Sequence, residues 1–201
     1  MIRISEAIAS KLGKLFGQEY QGEYEKHVHP CVVRIASRLD QTERLLEQCY
    51  DDAFISEESN REQQELYVEI LSLAYQFTKR LEHLSTQVNK CHSVKVYPSV
   101  SKTLEDILRA RGNAVHFHEP CYNYEQPDGE VVECEMHDTC TTPFEGECIS
   151  ITIRIAEEDG QICYEEDALN FIGQLKSSIA DVLGKYHSRL ESQIQVRCPS
   201  P

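Results

Sequence analysis

The stretch that decides the fold is EQQELYVEILSLAYQFTKRLEHLSTQVNK, residues 62–90. Its apolar side chains recur every three or four residues, at Leu66, Ile70, Leu73, Phe77, Leu81, Leu84 and Val88. This spacing is typical of one face of an α-helix, and a stripe of that length is buried against other helices. The sequence therefore predicts a long helix over about 62–90 in a mainly α protein.

Similar stripes predict further helices on both sides of this one. They cover residues 2–16, about 25–50, and about 165–195, and a shorter helix follows Tyr97-Pro98 and ends by Pro120. Ser99 or Ser101 can cap the shorter helix, because a serine oxygen accepts the free amides of a first helical turn. Glycines at 13, 17 and 22 predict a loosened connection between the first two helices.

Residues 119–163 have a different pattern. Turn-forming prolines and glycines punctuate the segment, while residues 148–155 alternate strictly between apolar and polar, as in a half-buried strand. Residues 130–134 and 161–164 are further strand candidates. We predict a mainly α fold: a bundle of four to five helices forming one domain over 1–201, with a β-hairpin or small sheet inserted at 119–163 before the last helix.

The composition limits the cellular setting and the partners. The chain has 201 residues, a net charge of −14 and nine cysteines. An odd number of scattered cysteines, with no evident signal peptide and no apolar run long enough to span a bilayer, predicts a soluble cytoplasmic protein without a membrane partner. The negative charge repels nucleic acid, so an RNA site would need a local basic pocket or a partner that supplies charge.

One cysteine-rich segment raises the alternative of a metal site. Cys134, His137 and Cys140 form a Cys-x2-His-x2-Cys pattern, with Cys121 and Cys148 nearby. Thiolates and imidazoles at such spacings can bind a structural zinc ion. The pattern lacks the paired Cys-x2-Cys motifs of common zinc modules, so we predict no metal and no cofactor, although sequence alone leaves zinc binding at these residues open.

Candidate catalytic side chains are concentrated in RARGNAVHFH, residues 109–118. Four residues separate Arg111 from His116, and on a continuous helix the two would lie about 140° apart around the axis. Arginine binds phosphate with a rigid fork of donors, and histidine exchanges a proton near neutral pH. The segment therefore contains the residue types needed to cleave a phosphodiester. His27 and His29, by contrast, are predicted to be solvent-exposed.

An arginine followed after four to six residues by a histidine, in a mostly helical chain, resembles the signature of the HEPN superfamily. These are helical-bundle domains, many of them metal-independent RNases of toxin–antitoxin, abortive-infection and CRISPR-linked systems. The family often has a polar residue directly after the arginine; here Gly112 takes that place and Asn113 follows. The resemblance covers about 25–118 and 164–195, and does not extend to the hairpin.

The resemblance implies Arg111, Asn113 and His116 as catalytic residues of an endoribonuclease with a toxin or antiviral-defence role. It also implies a homodimer in which two motifs face each other, an RNA substrate cleaved to a 2′,3′-cyclic phosphate, and an antitoxin or regulatory protein as a partner. The alternative is a non-catalytic helical module that serves interaction or regulation, because some HEPN domains have lost activity.

Overall fold

The computed structural model describes residues 1–52, 55–113, 117–125, 131–134, 149–156 and 162–197. Within these residues the chain forms six helices and four strands. In chain order they are α1 (Ile2–Phe16), α2 (Gln18–His27), α3 (His29–Asp52), α4 (Glu57–His92), α5 (Lys102–Asn113), β1 (Phe117–Glu125), β2 (Val131–Cys134), β3 (Ile149–Ala156), β4 (Ile162–Asp167) and α6 (Ala168–Arg197). The predicted fold class is confirmed: a mainly α protein with antiparallel β structure inserted before the last helix.

Helix α4 is the predicted long helix, and all seven residues of its apolar stripe are buried. It begins earlier than predicted because the Ser56 Oγ accepts the backbone N–H of Ser59 at 3.0 Å and caps the first turn. Beyond its last residue, Ser93 has a left-handed φ of 54°, which turns the chain out of the helix. The Asn89 side chain then bonds both the N–H and the C=O of Val96, at 2.8 and 3.0 Å, and holds the returning chain against the helix.

The connection between the first two predicted helices is itself helical, which corrects the prediction of a loosened chain there. Gly17 adopts φ 119° and ψ 158°, a conformation essentially restricted to glycine, so α1 ends and α2 begins at this single residue. Gly22 lies inside α2, where nothing stands within 4 Å of the position a Cβ would occupy. One glycine thus breaks the helix and the other is tolerated within it.

The insertion is a four-stranded antiparallel sheet with the order β2-β1-β3-β4. The sequence predicted β2, β3 and β4 but not β1, which contains Pro120. In the β1–β3 register His118 lies opposite Arg154, and Cys121 lies opposite Thr152. Between these two pairs, two residues of β1 therefore lie opposite a single residue of β3. This bulge accommodates the proline, which has no N–H to donate to the ladder.

Contacts group the chain into two compact units. Unit 1 contains Met1–Ser37, Ser72–Glu105 and Lys176–Pro201. Its core is built from apolar stripes of α1, α4 and α6 together with tyrosines of α2 and α6. Its buried side chains include Ile8, Leu12, Tyr24, Phe77, Leu81, Val88, Val182, Tyr186 and Leu190.

Several polar side chains in the unit 1 core hydrogen-bond one another. The Ser5 hydroxyl hydrogen-bonds the Tyr24 hydroxyl at 2.9 Å and the His29 Nδ1 at 3.0 Å, and the Ser85 hydroxyl bonds the Tyr186 hydroxyl at 3.2 Å. Burial raises the pKa of Tyr24 and raises the pKa of Tyr186 to about 12, so both phenols are neutral at physiological pH. His29 is therefore half-buried and bonded, which corrects the prediction that it is solvent-exposed.

Unit 2 contains Arg38–Leu71 and Asp106–Leu175, and so includes the sheet and the end of α5. Its buried side chains include Leu39, Leu46, Leu66, Tyr67, Ile70, Ile107, Ile151, Ile153, Phe171 and Ile172. The Tyr67 and Phe171 rings meet edge to face with their centroids 5.9 Å apart, a favourable aromatic geometry. This unit carries the segment in which the sequence predicts catalytic residues.

Candidate functional site

The helix that leads into the Arg-His segment is α5. Its first turn is capped by Ser101, whose Oγ accepts the N–H of Leu104 at 3.2 Å, as one of the two predicted caps. Leu104 and Ile107 are fully buried and fix the helix along one face. Position 111 follows Leu104 by seven residues, two turns of helix, and so continues that buried stripe. Residue 111 thus lies in the last turn of α5, in helical phase with Leu104 and Ile107.

The last described residue of α5 is Asn113. Arg111 and Asn113 lie in its last turn, whereas His116 lies outside the described residues. Gly112 and Asn113 have low helix propensity and are typical of helix ends. The separation of about 140° between Arg111 and His116, which applies to a continuous helix, stays a prediction. Positions 111 and 113 are about 160° apart around the axis, at about 100° per residue.

The sheet follows α5 in the chain, and the Tyr50 hydroxyl hydrogen-bonds it to a helix of unit 2. The Tyr50 hydroxyl accepts the backbone N–H of Ile151 at 3.2 Å and lies 3.4 Å from the Asp167 Oδ2, to which it donates. The Asp167 Oδ1 accepts the N–H of Asn170 at 2.9 Å and caps the start of α6. Burial raises the pKa of Tyr50, so the phenol keeps the proton that it donates. Tyr50 thus links α3, β3 and the β4–α6 junction.

A second buried polar side chain in unit 2, that of Gln63, makes only part of its possible hydrogen bonds. The Gln63 side chain is fully buried and donates from Nε2 to the Cys49 Sγ at 3.4 Å. Among the described residues its Oε1 has no hydrogen-bond partner. Burial raises the pKa of Cys49, which keeps this thiol protonated. Cys49 is therefore a structural thiol in this core and has no feature of a nucleophile.

Of the five residues considered as zinc ligands, the structure describes two. Cys121 lies in β1 and Cys134 in β2, where Cys134 pairs in register with Tyr122, the neighbour of Cys121. His137, Cys140 and Cys148 lie outside the described residues. Within the part of the chain that the structure describes, no group of three or more His, Cys, Asp or Glu side chains could hold a metal ion. The absence of a metal site at 121–148 remains a prediction.

The structure also brings together a set of lysine, arginine and histidine side chains that sequence reasoning did not identify. Lys79, Arg80 and His83 of α4 line a cleft together with His27, at the end of α2. The sequence contains no signal that pairs α4 with a residue more than 50 positions earlier. Tertiary packing alone creates this cleft.

Comparison of the chain with protein-family models, with curated proteins and with solved structures finds no match. Among the helices of the described residues, none is long and apolar enough to cross a membrane.

Proposed function

We propose that the chain is a metal-independent endoribonuclease that acts as a homodimer through Arg111 and His116. The observation that supports this proposal is the position of residue 111 in the last turn of a helix that Ser101 caps and that the buried Leu104 and Ile107 anchor. A helix that is capped and packed in this way fixes the backbone from which the guanidinium extends. Rigid placement of a guanidinium is what phosphate binding requires.

The reaction follows from the residue types. A base removes the proton of the 2′-hydroxyl, the 2′-oxygen attacks phosphorus, and the bond from phosphorus to the 5′-oxygen breaks as an acid protonates that oxygen. The products are a 2′,3′-cyclic phosphate and a 5′-hydroxyl. Arg111 binds the non-bridging oxygens, whose negative charge increases in the transition state. No metal is needed in this scheme, because the guanidinium supplies the positive charge.

Two proton transfers require two proton-exchanging groups, while each chain contributes one, His116. A homodimer that places two His116 side chains on opposite sides of one phosphate meets this requirement. Asn113 is the third candidate, orienting the phosphate or the imidazole. Because positions 111 and 113 point to different sides of α5, we assign Asn113 the smaller share of the activity.

The charge of the whole protein sets the conditions for activity. At a net charge of −14 the protein repels RNA at long range, so binding depends on contacts within the site. Affinity for RNA is therefore weak and falls further as salt rises. A role as a toxin or antiviral-defence effector in the cytoplasm, held inactive by an antitoxin or regulatory protein, is part of the same proposal.

The test uses the purified full chain, a fluorescent single-stranded RNA, low ionic strength and excess chelator. His116→Ala should lower the cleavage rate by roughly 10²–10⁴, the range for a lost general acid or base, and Arg111→Ala should act similarly. His118→Ala is the matched control, because this histidine lies two positions on, within β1, and should leave the rate unchanged. Light scattering on the same preparation measures the oligomeric state.

Three results would contradict the proposal: full activity in both variants, an active but strictly monomeric wild type, or no cleavage by the wild type. The protein would then be assigned to the second candidate class, a non-catalytic helical interaction or regulatory module. A specific observation favours that class, namely an acidic row on α4. Glu58, Glu62, Glu65 and Glu69 line a cleft of about 530 Å³ in unit 2, together with Arg38 and Arg61.

A further inference from the structure

A second cleft, in unit 1, has a volume of about 350 Å³ and opens between the end of α2 and the middle of α4. We call it the α2–α4 cleft. Its lining comprises Glu23, His27, Val28, Lys79, Arg80, His83, Leu84 and Gln87. Val28 and Leu84 are almost completely buried and form an apolar floor. An apolar floor with several converging polar side chains is the usual composition of a small-ligand site, and the volume lies in the range of such sites.

Arg80 is the best-placed charged group in the cleft. Its Nη1 donates to the backbone carbonyl of His27 at 2.9 Å and contacts the Cys31 Sγ at 3.4 Å. Both contacts use the same nitrogen, and among the described residues its Nε and Nη2 have no protein acceptor. The guanidinium is therefore fixed by one nitrogen while the other two present parallel donors. That pair of donors matches two oxygens of a phosphate or a carboxylate.

Two imidazoles and an amide add further polar groups. The imidazoles of His27, in α2, and His83, in α4, both line the cleft. The His83 Nε2 lies 3.0 Å from the Gln87 Nε2. An amide nitrogen can only donate, so in this arrangement the Gln87 Nε2 donates and the His83 Nε2 accepts. The N–H of His83 and the second N–H of Gln87 remain as donors suited to an anionic ligand.

The remaining charges limit which ligands fit. Lys79 donates to Glu82 at 3.1 Å and lies 5.9 Å from the centre of the Tyr75 ring, so its charge is largely offset. Glu23, 3.6 Å from the His27 Nε2, brings a negative charge into the cleft wall. Arg80 therefore determines the preference for anions, and Glu23 opposes it.

We propose that the α2–α4 cleft binds a small organic anion, a phosphate monoester with an apolar body. The phosphate pairs with the Nε and Nη2 of Arg80 and the donors of His83 and Gln87, while the apolar body covers Val28 and Leu84. Inorganic phosphate lacks the apolar body, and a neutral apolar molecule lacks the charge, so each alone binds more weakly. The site is independent of the RNase proposal, because none of its residues takes part in that chemistry.

Phenyl phosphate is the probe, titrated into the full-length protein by calorimetry at low ionic strength. We expect one site per chain, with inorganic phosphate and phenol both binding at least tenfold more weakly. Arg80→Gln should weaken phenyl phosphate binding roughly 10–100-fold, the range for a lost charged hydrogen bond. Arg44→Gln is the matched control. Arg44 is also an exposed helical arginine that donates to a carbonyl, that of Asp40 at 3.1 Å, but it does not line the cleft.

Two more variants keep the test decisive if Arg80→Gln fails to fold. Arg80→Lys keeps the charge but loses the paired donors, and should bind with intermediate affinity. Glu23→Gln removes the opposing charge from an exposed side chain, and should tighten binding roughly two- to fivefold. The proposal is overturned if phenyl phosphate does not bind at 10 mM, if it binds no more tightly than inorganic phosphate, or if Arg44→Gln weakens it as much as the Arg80 variants. It is equally overturned if Glu23→Gln weakens binding.

Discussion

Gly17 offers the sharpest test of how the N-terminal helices are joined. Its φ of 119° and ψ of 158° lie in a region essentially restricted to glycine, and nothing stands within 4 Å of the position a Cβ would occupy. In Gly17→Ala the added methyl group therefore meets no neighbour, and the whole cost comes from the backbone. That cost is on the order of 1–3 kcal/mol for a non-glycine residue held in such a conformation.

Gly22 is the matched control, because it has equally open surroundings but lies within α2. Gly22→Ala should stabilise the protein by about 0.5–1 kcal/mol through helix propensity. For a chain of this size, 1 kcal/mol corresponds to a shift in Tm of roughly 2–4 °C. We therefore expect Gly17→Ala to melt roughly 2–12 °C below the wild type and Gly22→Ala roughly 1–4 °C above it.

Thermal unfolding followed by far-UV circular dichroism measures both shifts, and urea titration checks that the m-value is unchanged. Gly17→Asn adds a further test, because asparagine tolerates the left-handed helical region near φ 57° but not the conformation of Gly17. It should therefore be destabilised like Gly17→Ala. A Gly17→Ala protein as stable as the wild type, or a Gly17→Asn protein that recovers wild-type stability, would refute the conformation assigned to this junction.

Two further predictions concern buried polar groups in unit 1. Asn89→Ala removes both hydrogen bonds to Val96 and leaves a buried N–H and a buried C=O without partners, which should destabilise the protein by about 1–3 kcal/mol for each group. Asn60→Ala is the control, because it loses only a 3.4 Å contact with Gln64 and should change Tm little. Equal melting temperatures for the two variants would contradict this prediction. Burial raises the pKa of Tyr186 from its ordinary 10 to about 12. Above pH 10 the unfolded chain therefore loses the phenol proton while the folded chain keeps it. The free energy of unfolding falls as the pH rises from 10 to 12. In Tyr186→Phe, which also loses the hydrogen bond with Ser85, Tm should fall less steeply with pH over that interval. An unchanged slope of Tm against pH would show that this phenol does not titrate as assigned.

Much of the fold could be predicted because its signals are local. The stripe of α4 and the alternation of β3 each lie within one continuous stretch, and a period of 3.6 or of 2 identifies the element without knowledge of its partner. Ser101 was likewise one of two predicted caps, because a cap bonds an amide only three residues away. Of the candidate site, Arg111 and Asn113 are placed at a helix end, and His116 lies outside the described residues.

What the sequence did not reveal depends on contacts between distant residues. Strand β1 contains a proline that argues against a strand, and only pairing with β3 through a bulge makes it part of the sheet. His29 could not be recognised as half-buried, because its partner Ser5 lies 24 positions away.

The α2–α4 cleft has the same origin. Arg80 reaches the carbonyl of His27 across 53 positions, a separation over which periodicity carries no information. Hydrophobic spacing determined which segments are helices and strands, since that depends on neighbours along the chain. The tertiary structure decided which polar groups meet, because burial and hydrogen-bond geometry are set only when the helices have packed.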